Sequence, residues 1–162
     1  MSKIQKIKVI KYDPFKDFRG KYLETFNKNF YKKHKLKNKL IQDDFSYSKK
    51  NVLRGFHGDN KTWKIFTCIY GKVQFAFINN IKNSKKFGEI VSFIVDENSH
   101  KGFIIPPNFG SAHLVLSERS IIHYKQSTLY GETKQFTVSY KTKYKNFRWM
   151  NKQPILSKRD KY

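Results

Sequence analysis

The stretch from Trp63 to Ile78 limits the fold more than any other. Trp63, Ile65, Thr67 and Ile69 alternate with Lys64, Phe66, Cys68 and Tyr70, Gly71-Lys72 interrupts, and Val73, Phe75 and Phe77 resume the pattern. A two-residue period puts successive side chains on opposite faces of a strand. A glycine between two such runs predicts a hairpin. Weaker runs of the same kind recur: residues 4–12 with Ile4, Ile7, Val9 and Ile10, then Lys21 to Phe26 with Tyr22, Glu24 and Phe26 on one side, then Ile41 to Ser48. Further runs are Ile90 to Val95, Gly102 to Ile105, His113 to Leu116, Ile121 to Gln126 and Gln135 to Tyr140. Turn residues punctuate them at Asp13-Pro14, Asp17-Phe18-Arg19-Gly20, Asn79-Asn80, Pro106-Pro107-Asn108 and Ser117-Glu118-Arg119-Ser120. Only residues 27–40, polar and Lys-rich with Phe30, Tyr31, Leu36 and Leu40 as anchors, suit a short helix or ordered loop. This reading is all-β, a sandwich or barrel rather than a βαβ sheet. No internal repeat or linker divides the chain, so one domain over residues 1–162 is expected.

Composition agrees. Aromatic residues make up 17% of the chain, and such side chains favour pleated surfaces. A chain of 162 residues buries a core without disulfides or metal. The single Cys68 lies within an apolar strand pattern and reads as a buried, inert thiol. The start Met1-Ser2-Lys3-Ile4-Gln5-Lys6 lacks the pattern of a secretory signal, and no apolar run reaches the length of a membrane span. A cytoplasmic protein is expected.

The 34 Lys and Arg against 12 Asp and Glu, a formal charge of +22, draw polyanions toward the surface. The lysines are scattered, however, and no motif that reads DNA or RNA appears. A Lys-rich surface around a site for a small anionic ligand therefore stands ahead of specific nucleic-acid or membrane binding.

Among the histidines, His57 sits in Arg54-Gly55-Phe56-His57-Gly58-Asp59. Its flanking glycines admit a ligand or a second backbone, although a structural histidine in a turn explains the same string. A metal centre would want two histidines one residue apart and a third elsewhere; here position 59 is Asp. A histidine beside a carboxylate is a competent general base near neutral pH. Abstracting a proton next to a carbonyl also requires a cation for the enolate oxygen. Lys64 offers one, or is simply a solvated strand lysine. Returning a proton to the opposite face requires an acid such as tyrosine, and among ten tyrosines composition does not choose.

Specific strings do choose. Leu53-Arg54-Gly55-Phe56-His57-Gly58-Asp59, Lys61-Thr62-Trp63-Lys64 and Thr67-Cys68-Ile69-Tyr70-Gly71-Lys72-Val73 resemble the core of the RmlC family, the dTDP-4-dehydrorhamnose 3,5-epimerases and their relatives. Asp17-x-Arg19-Gly20 with Glu24 and Phe26, Gln42-Asp43 with Ser46 and Ser48, Ile105-Pro106-Pro107, Leu116-Ser117, Tyr124-Lys125 and Ile155-Leu156-Ser157-Lys158-Arg159-Asp160 match the family in the same order. The string from Arg54 to Lys64 and the run Pro106 to His113 further resemble epimerases of GDP-linked 4-keto-6-deoxy-heptoses in capsule pathways. The rhamnose enzymes carry their own histidine at the position of Ser111, whereas this chain has His113. Ile78-Asn79-Asn80-Ile81 departs from the family's Val-Asp-x-Arg, Trp149-Met150 departs from its Trp-Pro, and residues 127–132 are compressed.

The resemblance implies a cupin-type double-stranded β-helix, a jelly-roll barrel with short helical segments. It implies epimerisation at C3, C5 or both of a GDP- or dTDP-linked 4-keto-6-deoxy sugar, for surface polysaccharide, by a homodimer with sites near its interface and with no metal or redox cofactor. By position, His57 is the base, Asp160 its carboxylate partner, Lys64 the enolate-stabilising cation and Tyr124 the acid. Arg54 contacts phosphate. Arg19, Glu24, Gln42, Arg119, Tyr130 and His113 are substrate-binding candidates. A 3,4-ketoisomerase, or a non-catalytic basic binding module on a degenerate epimerase fold, is the alternative.

Overall fold

The computed structural model describes residues 6–36, 38–145 and 147–161. Ile4 lies outside the described residues, and so does the side chain of Tyr31. The short alternating runs become two five-stranded antiparallel sheets. One contains, in spatial order, β1 (Lys8–Lys11), β9 (Lys101–Ile105), β6 (Lys64–Tyr70), β11 (Arg119–Gln126) and β4 (Gln42–Lys49). The other contains β12 (Phe136–Thr137), β5 (Leu53–Gly58), β10 (Phe109–Val115), β7 (Lys72–Asn79) and β8 (Ile90–Asp96). A separate hairpin joins β2 (Phe15–Asp17) to β3 (Gly20–Tyr22), a single-turn helix α1 spans Phe30–His34, and a 3-10 turn spans Lys158–Lys161. The result is a jelly-roll barrel.

The expected hairpin at Gly71 does not form. The two runs are strands, but β6 pairs with β9 and β11 in one sheet while β7 pairs with β10 and β8 in the other. Gly71, at φ +80°, is the corner where the chain crosses between sheets, and a Cβ there would lie 2.1 Å from the Arg119 carbonyl oxygen. Alternation records which way each side chain points; it carries nothing about which strand lies alongside.

Both faces of β6 are covered. Phe66 and Cys68 turn inward to Phe75, Phe77, Phe103 and Ile122. Ile65 turns outward beneath Ile10, Phe30 and Leu36, with Trp63 and Leu40 packed against the same cluster. The first strand and the segment read as a short helix or ordered loop thus cover the outside of the sheet. Phe75, Phe77 and Phe103 are wholly buried, each burial contributing on the order of 1.5–3 kcal/mol. Cys68 is free and buried, and burial, with Glu97 and Asp96 nearby, pushes its thiol up to about 12. Some boundaries move. The run expected over Lys21 to Phe26 is a strand only to Tyr22, the last strand shrinks to Phe136–Thr137, and β10 begins at Phe109 rather than His113. Gly110, Ser111 and Ala112 are small and carry no visible alternation, yet β10 pairs along this stretch with both β7 and β5.

Candidate active site

At one end of the barrel the two sheets enclose a cavity of about 840 Å³. β5 contributes Arg54 and His57 to it. In a regular strand, residues three apart point to opposite faces. Here the register against β10 runs from Ser111 opposite His57 to His113 opposite Arg54, so β5 carries one extra residue. That bulge resets the alternation and turns both side chains into one cavity. Gly55, at φ +107°, lies in the bulge, and a Cβ there would meet the Ser111 carbonyl at 2.3 Å. The Gly55–Phe56 peptide is cis.

The C-terminal segment completes this side. The Leu53 N–H donates to the Ile155 carbonyl and the Ile155 N–H to the Asn51 carbonyl, docking the segment beside β5. The turn that follows delivers Asp160, whose Oδ1 lies 2.6 Å from His57 Nε2. Burial opposes ionisation of Asp160, but the hydrogen bonds from His57 and Ser157 outweigh it and hold the carboxyl below its usual range. An ionised carboxylate only accepts, so His57 carries its proton on Nε2. Nδ1 is left with a free lone pair and no hydrogen bond among the described residues.

The facing sheet supplies Lys64 at the start of β6 and Tyr124 on β11. Lys64 is buried; burial pushes its ammonium down, Asp59 opposes this and Arg159 adds to it. Its Nζ donates to nothing among the described residues and so remains available to a ligand. Asp59 accepts the N–H groups of Lys61 and Thr62 through Oδ1 and shapes the loop leading to Lys64. Tyr124 packs edge-on against Phe66, with ring centroids 4.4 Å apart. Burial pushes its phenol up to about 12, partly offset by a hydrogen bond from Ser46 and by Arg54. His113 is fully buried behind it, with Nδ1 3.4 Å from the phenol oxygen and Nε2 unpartnered.

At the rim, Gln42 accepts the Tyr130 N–H at 2.7 Å and donates to Asp44, which also accepts from Gln126. His57, Lys64, Tyr124, Asp160, Arg54, Gln42, Tyr130 and His113 therefore share one cavity. Three expected residues do not line it. Arg119 begins β11 at the opposite end of that strand from Gln126, in a surface depression with Tyr70 and Lys72. Arg19 and Glu24 lie on or just after the exposed β2–β3 hairpin, paired with Asp17 and Asn27 respectively. Asp44, Ser111 and Arg159 line the cavity without having been singled out. Asp44 and Ser111 share inward alternation with Gln42 and His113, and that parity was the available signal.

A jelly-roll barrel with a cavity at one end lined by ionisable and hydroxyl side chains is the architecture of the cupin-type epimerases. The sequence model of the dTDP-4-dehydrorhamnose 3,5-epimerase family matches residues 1–162. The chain belongs to that family and is an isomerase. It is 31% identical to the dTDP-4-dehydrorhamnose 3,5-epimerase of Methanothermobacter thermautotrophicus over 75% of this chain and 67% of the relative. It is 29% identical to that of Shigella flexneri over 90% and 83%. The crystal structure of RmlC from Legionella pneumophila in complex with dTDP-4-keto-L-rhamnose superposes with a TM-score of 0.87 at 27% identity, covering 95% of this chain and 84% of that one. That of the Sulfolobus tokodaii enzyme gives 0.85 at 30% identity, covering 95% and 86%.

Proposed function

We propose that this chain, as one domain over residues 1–162, inverts C3, C5 or both of a nucleotide-diphosphate-linked 4-keto-6-deoxy sugar, hexose or heptose. The product serves surface polysaccharide synthesis, and the reaction runs in the cytoplasm. His57 Nδ1 takes the proton from the carbon beside the 4-keto group, and the C–H electron pair moves into an enolate. The Lys64 ammonium hydrogen-bonds the enolate oxygen. The Tyr124 O–H bond breaks as its proton joins the carbon from the other face, leaving a phenolate. Solvent then takes the proton from His57 and returns one to Tyr124, so the cycle closes with no net change. Arg54 and Arg159 bind the diphosphate, and Gln42 and Tyr130 shape the sugar rim.

The observation that carries this reading is the separation of His57 and Tyr124 onto facing sheets with one cavity between them. Inversion requires a base and an acid on opposite sides of a ring; a 3,4-ketoisomerase has no such need. The free thiol of Cys68 suits a reducing compartment. Relatives with bound dTDP compounds support dTDP as the carrier, and the run from Arg54 to Lys64 supports GDP-heptose. Phe15, Phe18 and Tyr22 are exposed on the β2–β3 hairpin, Phe18 at 98%. This supports a homodimer in which the hairpin carries Arg19 and Glu24 to a second copy's site. The test is solvent deuterium incorporation into dTDP- and GDP-linked 4-keto sugars, with product configuration read by NMR. Exchange with inversion is expected and is lost in His57→Ala; unchanged exchange in that variant removes His57 from the role.

A further inference from the structure

We infer that Arg54, Ser48, Ser46 and His113 form converging hydrogen-bond donors that fix the Tyr124 oxygen as an acceptor, so that its own proton points into the cavity and the phenolate formed on proton delivery is held in place. This rests on the reading of Tyr124 as the acid. Ser46, Ser48 and His113 are then positioning residues, acting through Tyr124.

The direction of the chain follows from what each group can donate. Arginine only donates, and Arg54 Nε donates to Ser48 Oγ at 3.2 Å. Ser48 is buried, and Ser46, 3.2 Å away, is the sole acceptor for its proton among the described residues. A buried hydroxyl proton left unpaired is costly, so Ser48 donates to Ser46. Ser46, having accepted, keeps its own proton for the Tyr124 oxygen beside it, and its influence lowers the phenol. On the other side His113 has two nitrogens and one neighbour. Nε2 is buried without a partner, and Nδ1 faces the phenol oxygen at 3.4 Å. Orphaned buried N–H groups are rarer than under-satisfied acceptors, so the proton belongs on Nδ1, donating to Tyr124. Such bonds are often long without substrate and tighten once it binds. Both lone pairs of the phenol oxygen are then occupied, and its proton has only the cavity to face. Were His113 the acceptor, that proton would be tied up away from the sugar.

The need for such donors is physical. Burial makes a phenolate at Tyr124 expensive, and Asp44 adds to the cost. Burial also depresses His113 to about 3, so it donates as a neutral ring and adds no desolvated charge.

Two measurements test this. Nitrogen-15 NMR of the ligand-free protein, with the His113 signals assigned by their loss in His113→Phe, is expected to show a protonated Nδ1 and a bare Nε2. The opposite tautomer, or an imidazolium, overturns the inference whatever the enzyme's activity. The second measurement is the ratio of inverted product to deuterium washed into recovered substrate. His57 continues to exchange the proton when delivery from Tyr124 fails. In His113→Phe and in Ser46→Ala that ratio is expected to fall about tenfold, the order of one hydrogen bond to a charged group. His113→Asn, which restores a donor, recovers most of it. In a Tyr124→Phe background His113→Phe has no further effect. An unchanged ratio in folded His113→Phe and Ser46→Ala overturns the inference. Absence of any wash-in by the unsubstituted enzyme overturns the acid–base reading itself, and the role of these donors with it.

Discussion

β6 and β11 each run through both halves of the barrel interior, and the two halves are filled in opposite ways. On β6, Lys64 opens into the cavity, while Phe66 lies where cavity and core meet and Cys68 is deep in the core. On β11, Tyr124 faces the cavity and Ile122 the core. At the closed end Phe75, Phe77 and Phe103 pack with ring centroids 5.3–6.0 Å apart. At the open end the same inward positions hold ionisable and hydroxyl groups around about 840 Å³. One turn of the alternation thus separates a group that holds the fold from a group available for chemistry. The lesson is a division of labour along β6 and β11: apolar packing at one end supports polar, incompletely partnered groups at the other.

That division is open to attack. The largest expected effect is at the open end. His57→Ala should lower solvent exchange by on the order of 10²–10⁴-fold, with the thermal unfolding midpoint almost unmoved; a large drop in midpoint would show that the site also carries the fold. At the closed end Phe77→Ala should cost about 3–5 kcal/mol in denaturant unfolding. Whatever protein stays folded should keep its wash-in rate, and a selective loss of catalysis would erase the distinction between the two ends. Asp160→Asn comes next. It replaces an accept-only carboxylate with an amide that can donate as well as accept, so the His57 tautomer is no longer fixed and exchange should fall by about 10²-fold or more, while nucleotide affinity measured by calorimetry is retained.

Acid titration sharpens the comparison. His113 is depressed by burial from 6.5 to about 3, further lowered by Arg54 and His57. The unfolded chain therefore binds this proton more readily than the folded one. Stability from His113 is complete above pH 6.5 and drains away as pH falls toward about 3. Asp160, also depressed in the fold, adds a loss only below the ordinary carboxylate range. Unfolding free energies between pH 7 and 4 should decline, and His113→Phe should flatten that slope where Phe77→Ala leaves it unchanged. The smallest effect is at Arg119, outside the cavity. Arg119→Ala should leave kcat/KM within about twofold, since removing a distant surface charge alters only long-range attraction.

Much of the architecture was legible one strand at a time. Alternation marked the runs that became β4, β6, β7, β8 and β11, and the turn residues marked their ends. The family strings singled out His57, Lys64, Tyr124 and Asp160, which do share one cavity. What the chain by itself determined is therefore local: period and turn chemistry, which follow from backbone geometry within a few residues, and the strings that name the candidate site residues. Tertiary structure alone decided that β6 and β7 part company at Gly71, that a bulge swings Arg54 round beside His57, and that Asp160 reaches His57 across 103 positions. It alone left Arg119 outside. The physical reason is that partner choice is settled by which distant surfaces bury one another best, and no short window of sequence contains both surfaces.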